Sequence, residues 1–349
     1  MLAGSLIKFA RVPVTLPVGE IIGRLNRLQP LIRYELNDSF GRGGRGGRRG
    51  TTAPNEAPHH AVGLGDAGRK LLGERAWVSA RGRSRARAEL GGMPEYVLDH
   101  HQEGERERLA LMSRLLDPMH RGHIDRLGVG PGARTLEVGC GNGSVSAWLA
   151  GLVAPAGRAV AVDLDLSLVV ADVPGLEFRQ ADILAGPVEP EDFDLVTARA
   201  VLHHIGDVEA AVVNLVASAR PGGAVLLIEP DFLPVTVAEP PEVRAFWAGW
   251  LAWSREQGID YLIGRRLPAM LSRLGLEDME ATAETAHYNG GSAWAVYWRQ
   301  TVAELRTRLV ASGKLNDRLI DTFLAWCADP AWWTQTIAFT AAAGHVRGE

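Results

Sequence analysis

The chain has 349 residues, 37 Lys+Arg against 41 Asp+Glu, 46% apolar and 22% charged residues, a balance that excludes a collagen, a disulfide scaffold and a fully disordered polypeptide. Only Cys140 and Cys327 are present. They supply neither a disulfide framework nor a C-x-x-C metal spacing, so no metal and a cytoplasmic, reducing setting are expected. The net charge of −4 divides unevenly: residues 1–92 hold 16 basic and 7 acidic residues (+9), leaving 21 basic and 34 acidic residues (−13) for the remainder.

The segment 1–92 is expected to be a basic, mostly disordered extension. Gly41 to Gly50 reads GRGGRGGRRG, and Arg81, Arg83, Arg85 and Arg87 follow in a stretch with little apolar surface to offset backbone ordering. Its readings stay open: a solvated tail, an arm for nucleic acid or anionic membrane, an upstream extension from a mis-assigned start, or, for Met1 to Leu36, a transit-like leader. Globular patterning begins at Met93. Glu103 to His120 reads as a helix interrupted by Pro118. Arg134 to Val138 reads as a strand entering a glycine-rich turn, with a helix from Ser144 to Leu152. The alternation continues with strands at Ala159–Asp163, Leu176–Gln180, Phe193–Thr197 and Ala224–Ile228, and helices at Asp165–Val170 and Val208–Ala219. Such alternation predicts an α/β fold, a doubly wound, mostly parallel, Rossmann-like sheet whose ligands sit at the carboxyl ends of the strands.

Beyond Asp231 the texture changes. Eight of the ten Trp residues lie there, among helical segments near 241–257, 267–274, 294–312 and 316–327, with two further strands expected at Glu277–Thr285 and Thr334–Ala341. The aromatic residues read either as core between added helices or as an apolar wall over a pocket. The longest uncharged stretch, Val138 to Gly157, contains five Gly, two Ser, an Asn and a Pro, which argues against a membrane span.

The turn Glu137-Val-Gly139-Cys140-Gly141-Asn142-Gly143 lies after a strand and before a helix, where glycine lets the backbone approach a nucleotide-like ligand. Its spacing is G-x-G-x-G, not the G-x-G-x-x-G of dinucleotide loops. The acid two positions before the first Gly suits a ligand carrying positive charge better than a phosphate.

Leu136-Glu-Val-Gly-Cys-Gly-Asn-Gly-Ser144 resembles the first motif of class I S-adenosylmethionine-dependent methyltransferases, and the likeness extends from about Met93 onward. It implies the seven-stranded methyltransferase fold, with helices of an N-terminal lid at 93–130, a cofactor-binding core at 131–231, and substrate-cap helices with the last strands at 232–349. It also implies S-adenosyl-L-methionine as cofactor. Glu137, Gly139, Cys140, Gly141, Asn142 and Gly143 would meet its methionine part. Asp163, with Leu164 beside it, would accept from the ribose hydroxyls, and Asp165 would cap the following helix. Asp182 would accept from the adenine amino group, with Ile183 against the ring. Each acid alone is also what an ordinary cap or loop would use. The segment Thr197 to Ile205 resembles the ubiquinone/menaquinone-biosynthesis type and the small-molecule enzymes of secondary metabolism, and lacks the N-P-P-Y signature of amide- and amine-methylating relatives. Arg199 and Ala200 are then expected near the methionine moiety, and Leu202 near the acceptor. His203 is the candidate base, with His204 structural; Tyr96 in the lead-in Tyr96-Val-Leu-Asp-His100-His101 would reach the sulfonium.

The expected function is methyl transfer to O, N or C of a small, apolar or aromatic acceptor. The charge of −13 speaks against nucleic acid for this part of the chain, and a homodimer is compatible. Arg265-Arg266 would either bind an acidic group or simply be solvated. Two other functions fit less well: an idle cofactor-binding regulator, and a nicotinamide oxidoreductase, which Glu137, the glycine spacing and the lack of Tyr-x-x-x-Lys disfavour.

Overall fold

The computed structural model describes residues 104–170 and 172–348; the basic extension, Tyr96, His100 and His101 lie outside the described residues. The chain enters through α1 (Glu105–Arg126), then alternates β1 (Arg134–Val138), α2 (Ser144–Val153), β2 (Arg158–Asp163), β3 (Leu176–Gln180), β4 (Phe193–Arg199), α3 (Val208–Ser218) and β5 (Ala219–Asp231). There follow α4 (Pro241–Glu256), α5 (Leu267–Arg273), β6 (Glu277–Glu284), β7 (His287–Asn289), α6 (Ala293–Ala311), α7 (Asp317–Trp326), β8 (Trp333–Gln335) and β9 (Ala338–His345).

Seven strands form one sheet in the order β3-β2-β1-β4-β5-β9-β6, and β7 pairs with β8 in a separate ribbon. All pairings among β1 to β5 are parallel, whereas β9 runs antiparallel between β5 and β6. This is the doubly wound sheet expected from the sequence, with one reversed strand. Helices cover both faces because strand residues alternate. Leu226 and Ile228 of β5 face one core with Leu149 of α2 and the aromatic rings of α4, while Val225 and Leu227 face the other with Leu215 of α3 and Leu271 of α5. Along β6 the pattern is nearly all exposed, and Glu277, Asp278, Glu280 and Glu284 place charge on an edge otherwise open to further pairing. The side chains of Asp207, Ser292 and Asn316 accept the N–H three residues on, opening α3, α6 and α7.

Several sequence expectations are corrected. Helix α1 runs through Pro118 to Arg126, because Pro118 and Arg114 both face solvent, where the carbonyl deprived of its partner meets water. His120 anchors the same helix to the sheet: its Nε2 lies 2.8 Å from the Thr197 hydroxyl, which donates to the Leu226 carbonyl at 3.0 Å. The segment Asp165–Val170 is a run of turns, so Asp165 caps no helix. Local donors there are spent elsewhere: Asp163 takes the Leu164 N–H at 2.7 Å, Asp165 takes the Ser167 N–H at 2.8 Å, and the Val170 N–H reaches the Asn142 carbonyl at 3.3 Å. The strand expected at Thr334–Ala341 divides into β8 and β9, which belong to different sheets.

Candidate functional site

The parallel strands β1, β2 and β4 end side by side, with Glu137, Asp163 and Arg199 at or near their carboxyl termini. Beyond β1 the backbone turns through Gly139 (φ 73°) and Gly141 (φ 54°). A Cβ on Gly139 would lie 2.1 Å from Cγ2 of Val201, so this position is closed to any side chain. At Gly141 nothing stands within 4 Å of a Cβ, so the left-handed backbone there faces open space. Asp163 shapes the loop from the neighbouring strand, its Oδ2 accepting the Gly141 N–H at 2.9 Å. From α1, Ser113 donates to Oδ1 of Asn142 at 3.2 Å and accepts from the Ser144 hydroxyl at 3.1 Å, which ties the lead-in helix to the same turn.

Glu137 is 3% exposed and accepts from the Ser146 hydroxyl. Burial pushes its carboxyl up to about 7, opposed by that bond and by the Arg199 guanidinium. Arg199 pairs with Asp117 at 2.9 Å, yet its Nη1 is buried without a hydrogen-bond partner. Farther along, Asp182 gives Oδ1 to the Leu184 N–H at 2.8 Å, and Ile183 is buried beside it. Cys140 is a buried thiol whose ionisation burial suppresses. Leu164, beside Asp163, is 52% exposed.

These residues fit the cofactor expected from the sequence. An open position over Gly141, carboxylates on adjacent strand ends and an orphaned guanidinium nitrogen match a ligand with an amino-acid end and a sugar. A buried guanidinium N–H without an acceptor costs free energy unless a ligand supplies one.

Past β4 the chain enters an aromatic cavity of about 70 Å³. Ala200 borders it in a left-handed conformation (φ 56°), a strained state for a non-glycine residue of the kind that gathers at functional sites. Phe232, Trp250, Trp253, Tyr261, Trp298 and Phe339 form much of the wall. Trp250 and Trp253, one turn apart on α4, have ring centroids 5.5 Å apart, and the Phe232 and Tyr261 rings stack at 4.2 Å. Both readings of the Trp-rich region therefore hold at once: the rings are core and also wall.

His203 also borders this cavity, in a single turn of 3-10 helix, Leu202–His204. Its Nδ1 lies 2.8 Å from Oε2 of Glu229, a fully buried residue of β5. Glu229 further accepts the N–H groups of Val201 (2.8 Å), Leu202 (2.7 Å) and His203 (3.2 Å). These donors favour the ionised carboxyl, but burial outweighs them and pushes it up to about 7. Burial holds His203 well below the usual imidazole range, so the ring is neutral at pH 7. In the tautomer that donates Nδ1–H to Glu229, Nε2 is the ring nitrogen left with a lone pair. The sequence reading missed Glu229, although an acid at the end of the strand after the His-His pair was the available signal. His204 packs on His203, ring centroids 3.9 Å apart, and burial holds it neutral too. Arg265 and Arg266 do not enter the site; they pair with Asp231 and Asp260. Among the described residues no helix is long and apolar enough to cross a membrane.

Residues 136–227 match a family model described as a methyltransferase domain. The chain is 31% identical to an uncharacterized 37.1 kDa protein in transposon TN4556 of Streptomyces fradiae, over 34% of this chain and 36% of that protein. It is 32% identical to a demethylmenaquinone methyltransferase of Roseiflexus castenholzii, over 35% of this chain and 50% of that protein. The chain thus spans half or less of these relatives' length. A solved phosphoethanolamine N-methyltransferase 2 from Haemonchus contortus, in complex with S-adenosyl-L-methionine, is 18% identical, covering 70% of this chain and 52% of its own at a TM-score of 0.40.

Proposed function

We propose that this chain, whose residues 136–227 match a methyltransferase domain, is a class I S-adenosylmethionine-dependent methyltransferase that transfers a methyl group to O, N or C of a small, apolar or aromatic acceptor. The observation that carries the reading is the glycine turn bonded to Asp163 at one end of the sheet, with the open position over Gly141. S-adenosylmethionine supplies an electrophilic methyl on a sulfonium centre. Gly139, Gly141 and Gly143 give it close backbone access; Glu137 and Arg199 meet the charged amino-acid end; Asp163 takes the ribose, and Asp182 with Ile183 the adenine.

Methyl transfer requires a nucleophile in line with the methyl carbon and little competing water. The aromatic walls exclude water and hold a flat or apolar acceptor beside Ala200. His203 offers Nε2 to the acceptor's proton, held in orientation by Glu229 through Nδ1. A buried imidazole is a weak base, and a weak base suffices for a nucleophile whose acidity rises as it gains the methyl. The imidazolium that forms then lies against the Glu229 carboxylate.

The experiment is a calorimetric titration of S-adenosylmethionine and S-adenosylhomocysteine into the full chain. Saturable binding of both at micromolar levels is expected; absence of binding to either overturns the reading.

A further inference from the structure

The middle of α3 buries mostly apolar side chains: Ala211, Val212, Leu215 and Val216 enter the same core as Ile183, Leu227 and Leu271. Asn214 stands among them, 1% exposed. Its Nδ2 donates to the Ile183 carbonyl at 2.7 Å, while its Oδ1 is buried with no hydrogen-bond partner. The carbonyl fixes the orientation of the amide, because the opposite one would set two oxygens against each other. For the fold alone such a residue is a poor choice: an unpartnered buried polar atom costs more than one neutral hydrogen bond contributes. The use of the amide lies at the other end of its single bond.

That end is the turn after β3. The Leu184 N–H donates to Oδ1 of Asp182 at 2.8 Å and the Ala185 N–H to the Asp182 carbonyl at 3.0 Å, two bonds that shape the turn from within. Its anchors to the rest of the molecule are the Ala181 N–H, which meets the Asp163 carbonyl at 2.9 Å, and Asn214, which reaches in from α3. Oδ2 of Asp182 has no partner among the described residues, and its direction follows from how the turn is held. One helical turn beyond Asn214, Ser218 makes a second tie to the connection between β3 and β4: its hydroxyl accepts the Val188 N–H at 2.9 Å and donates to the Asn214 carbonyl at 2.9 Å. Of these two ties from α3, the one from Asn214 is beside Asp182.

We propose that Asn214 is a positioning residue for the purine of the cofactor. By holding the Ile183 carbonyl it sets the turn so that Oδ2 of Asp182 meets an exocyclic amino group, and so fixes the preference of the site for adenine over a 6-oxopurine. This rests on the methyl-transfer reading, in which Asp182 and Ile183 take the adenine. A carboxylate accepts from the amino group of adenine and repels the carbonyl oxygen that replaces it in hypoxanthine, and a site built around such a bond rejects the analogue that lacks it.

The test is calorimetric, with S-adenosylhomocysteine and S-inosylhomocysteine titrated separately into the full chain and its variants. The unaltered chain binds the adenosyl compound at least ~30-fold tighter. Asn214→Leu, similar in size but without a donor, cuts that preference at least ~10-fold, since a freed turn lets Asp182 swing away from the purine. Asn214→Ala is read the same way should the leucine be too bulky for the fold, which the near-ultraviolet signal of the buried tryptophans reports. Ser218→Ala is the control: it lowers Tm but leaves the preference within threefold. The proposal is wrong if the unaltered chain shows no preference, if the folded Asn214 variant keeps it or loses affinity for both compounds equally, or if Ser218→Ala erodes it as much. Failure of the unaltered chain to bind S-adenosylhomocysteine at all would instead overturn the methyl-transfer reading.

Discussion

The two ends of the site are built on different principles. Around β1, β2 and β3 the candidate cofactor-binding groups are backbone N–H groups, glycines and carboxylates from Glu137 to Ile183, fewer than fifty residues of chain. The aromatic cavity draws its walls from α1, the turn after β4, α4, α6 and β9, from Arg108 to Phe339. On the proposed reading the first region recognises through the shape of the main chain, which a short contiguous segment can supply. The second recognises through side chains brought together by packing, so many sequences can build such a wall.

Substitutions can break the comparison at either end. The largest effect on cofactor affinity is expected in the backbone-built region. Gly141→Val places a β-branched residue at φ 54°, and Asp163→Ala removes the acceptor of the Gly141 and Leu164 N–H groups. Either lowers affinity for S-adenosylhomocysteine at least ~100-fold by calorimetry, a loss of about 2.7 kcal/mol, while the near-ultraviolet signal of the buried tryptophans is retained. Collapse of that signal would show that the two regions are not separable.

The next effect separates chemistry from cofactor binding. His203→Ala lowers turnover by ~10²–10⁴-fold, the usual contribution of a positioned base, with cofactor affinity unchanged within twofold. A parallel loss of both would place His203 with the cofactor and not with the acceptor. The smallest and sharpest test is a pH series on Glu137→Gln. Because burial raises the folded carboxyl from 4.5 to about 7, the folded chain holds a proton there that the unfolded chain has lost. That stability is present at low pH and is lost as pH rises from 4.5 to about 7. The variant therefore gains on the parent in thermal melts across this window, and its cofactor affinity falls about tenfold at pH 8 but less at pH 5.5, where the parent carboxyl is protonated as well.

Legibility in the sequence follows the same division. The alternation of strands and helices, the glycine turn and the acids at strand ends were readable because each depends on local spacing. The Asp165–Val170 turns were not, because carboxylates compete for backbone donors that a helix would use. Nor was the passage of α1 through Pro118, which depends on the proline facing water. Within the site, His203 stood out by its place after β4, but its partner Glu229 lies 26 residues away on β5. Only the strand register, Arg199 opposite Ile228, brings them together. Nothing in the i, i+3 spacing of Glu105 and Arg108 announces that the pair is buried.

The reversed strand bears on how the molecule is made. β9 pairs with β5 across more than a hundred intervening residues, and among the described residues β6 has no partner in the sheet except β9. A ribosome has thus released all of β1 to β5 long before the strand that completes the sheet exists. Until then β6 is an edge without a neighbour on either side, kept from straying pairings by its glutamates. The glycine-turn half is assembled from contiguous chain, whereas the aromatic cavity, whose wall includes Phe339, must wait for the closure of a loop of more than a hundred residues.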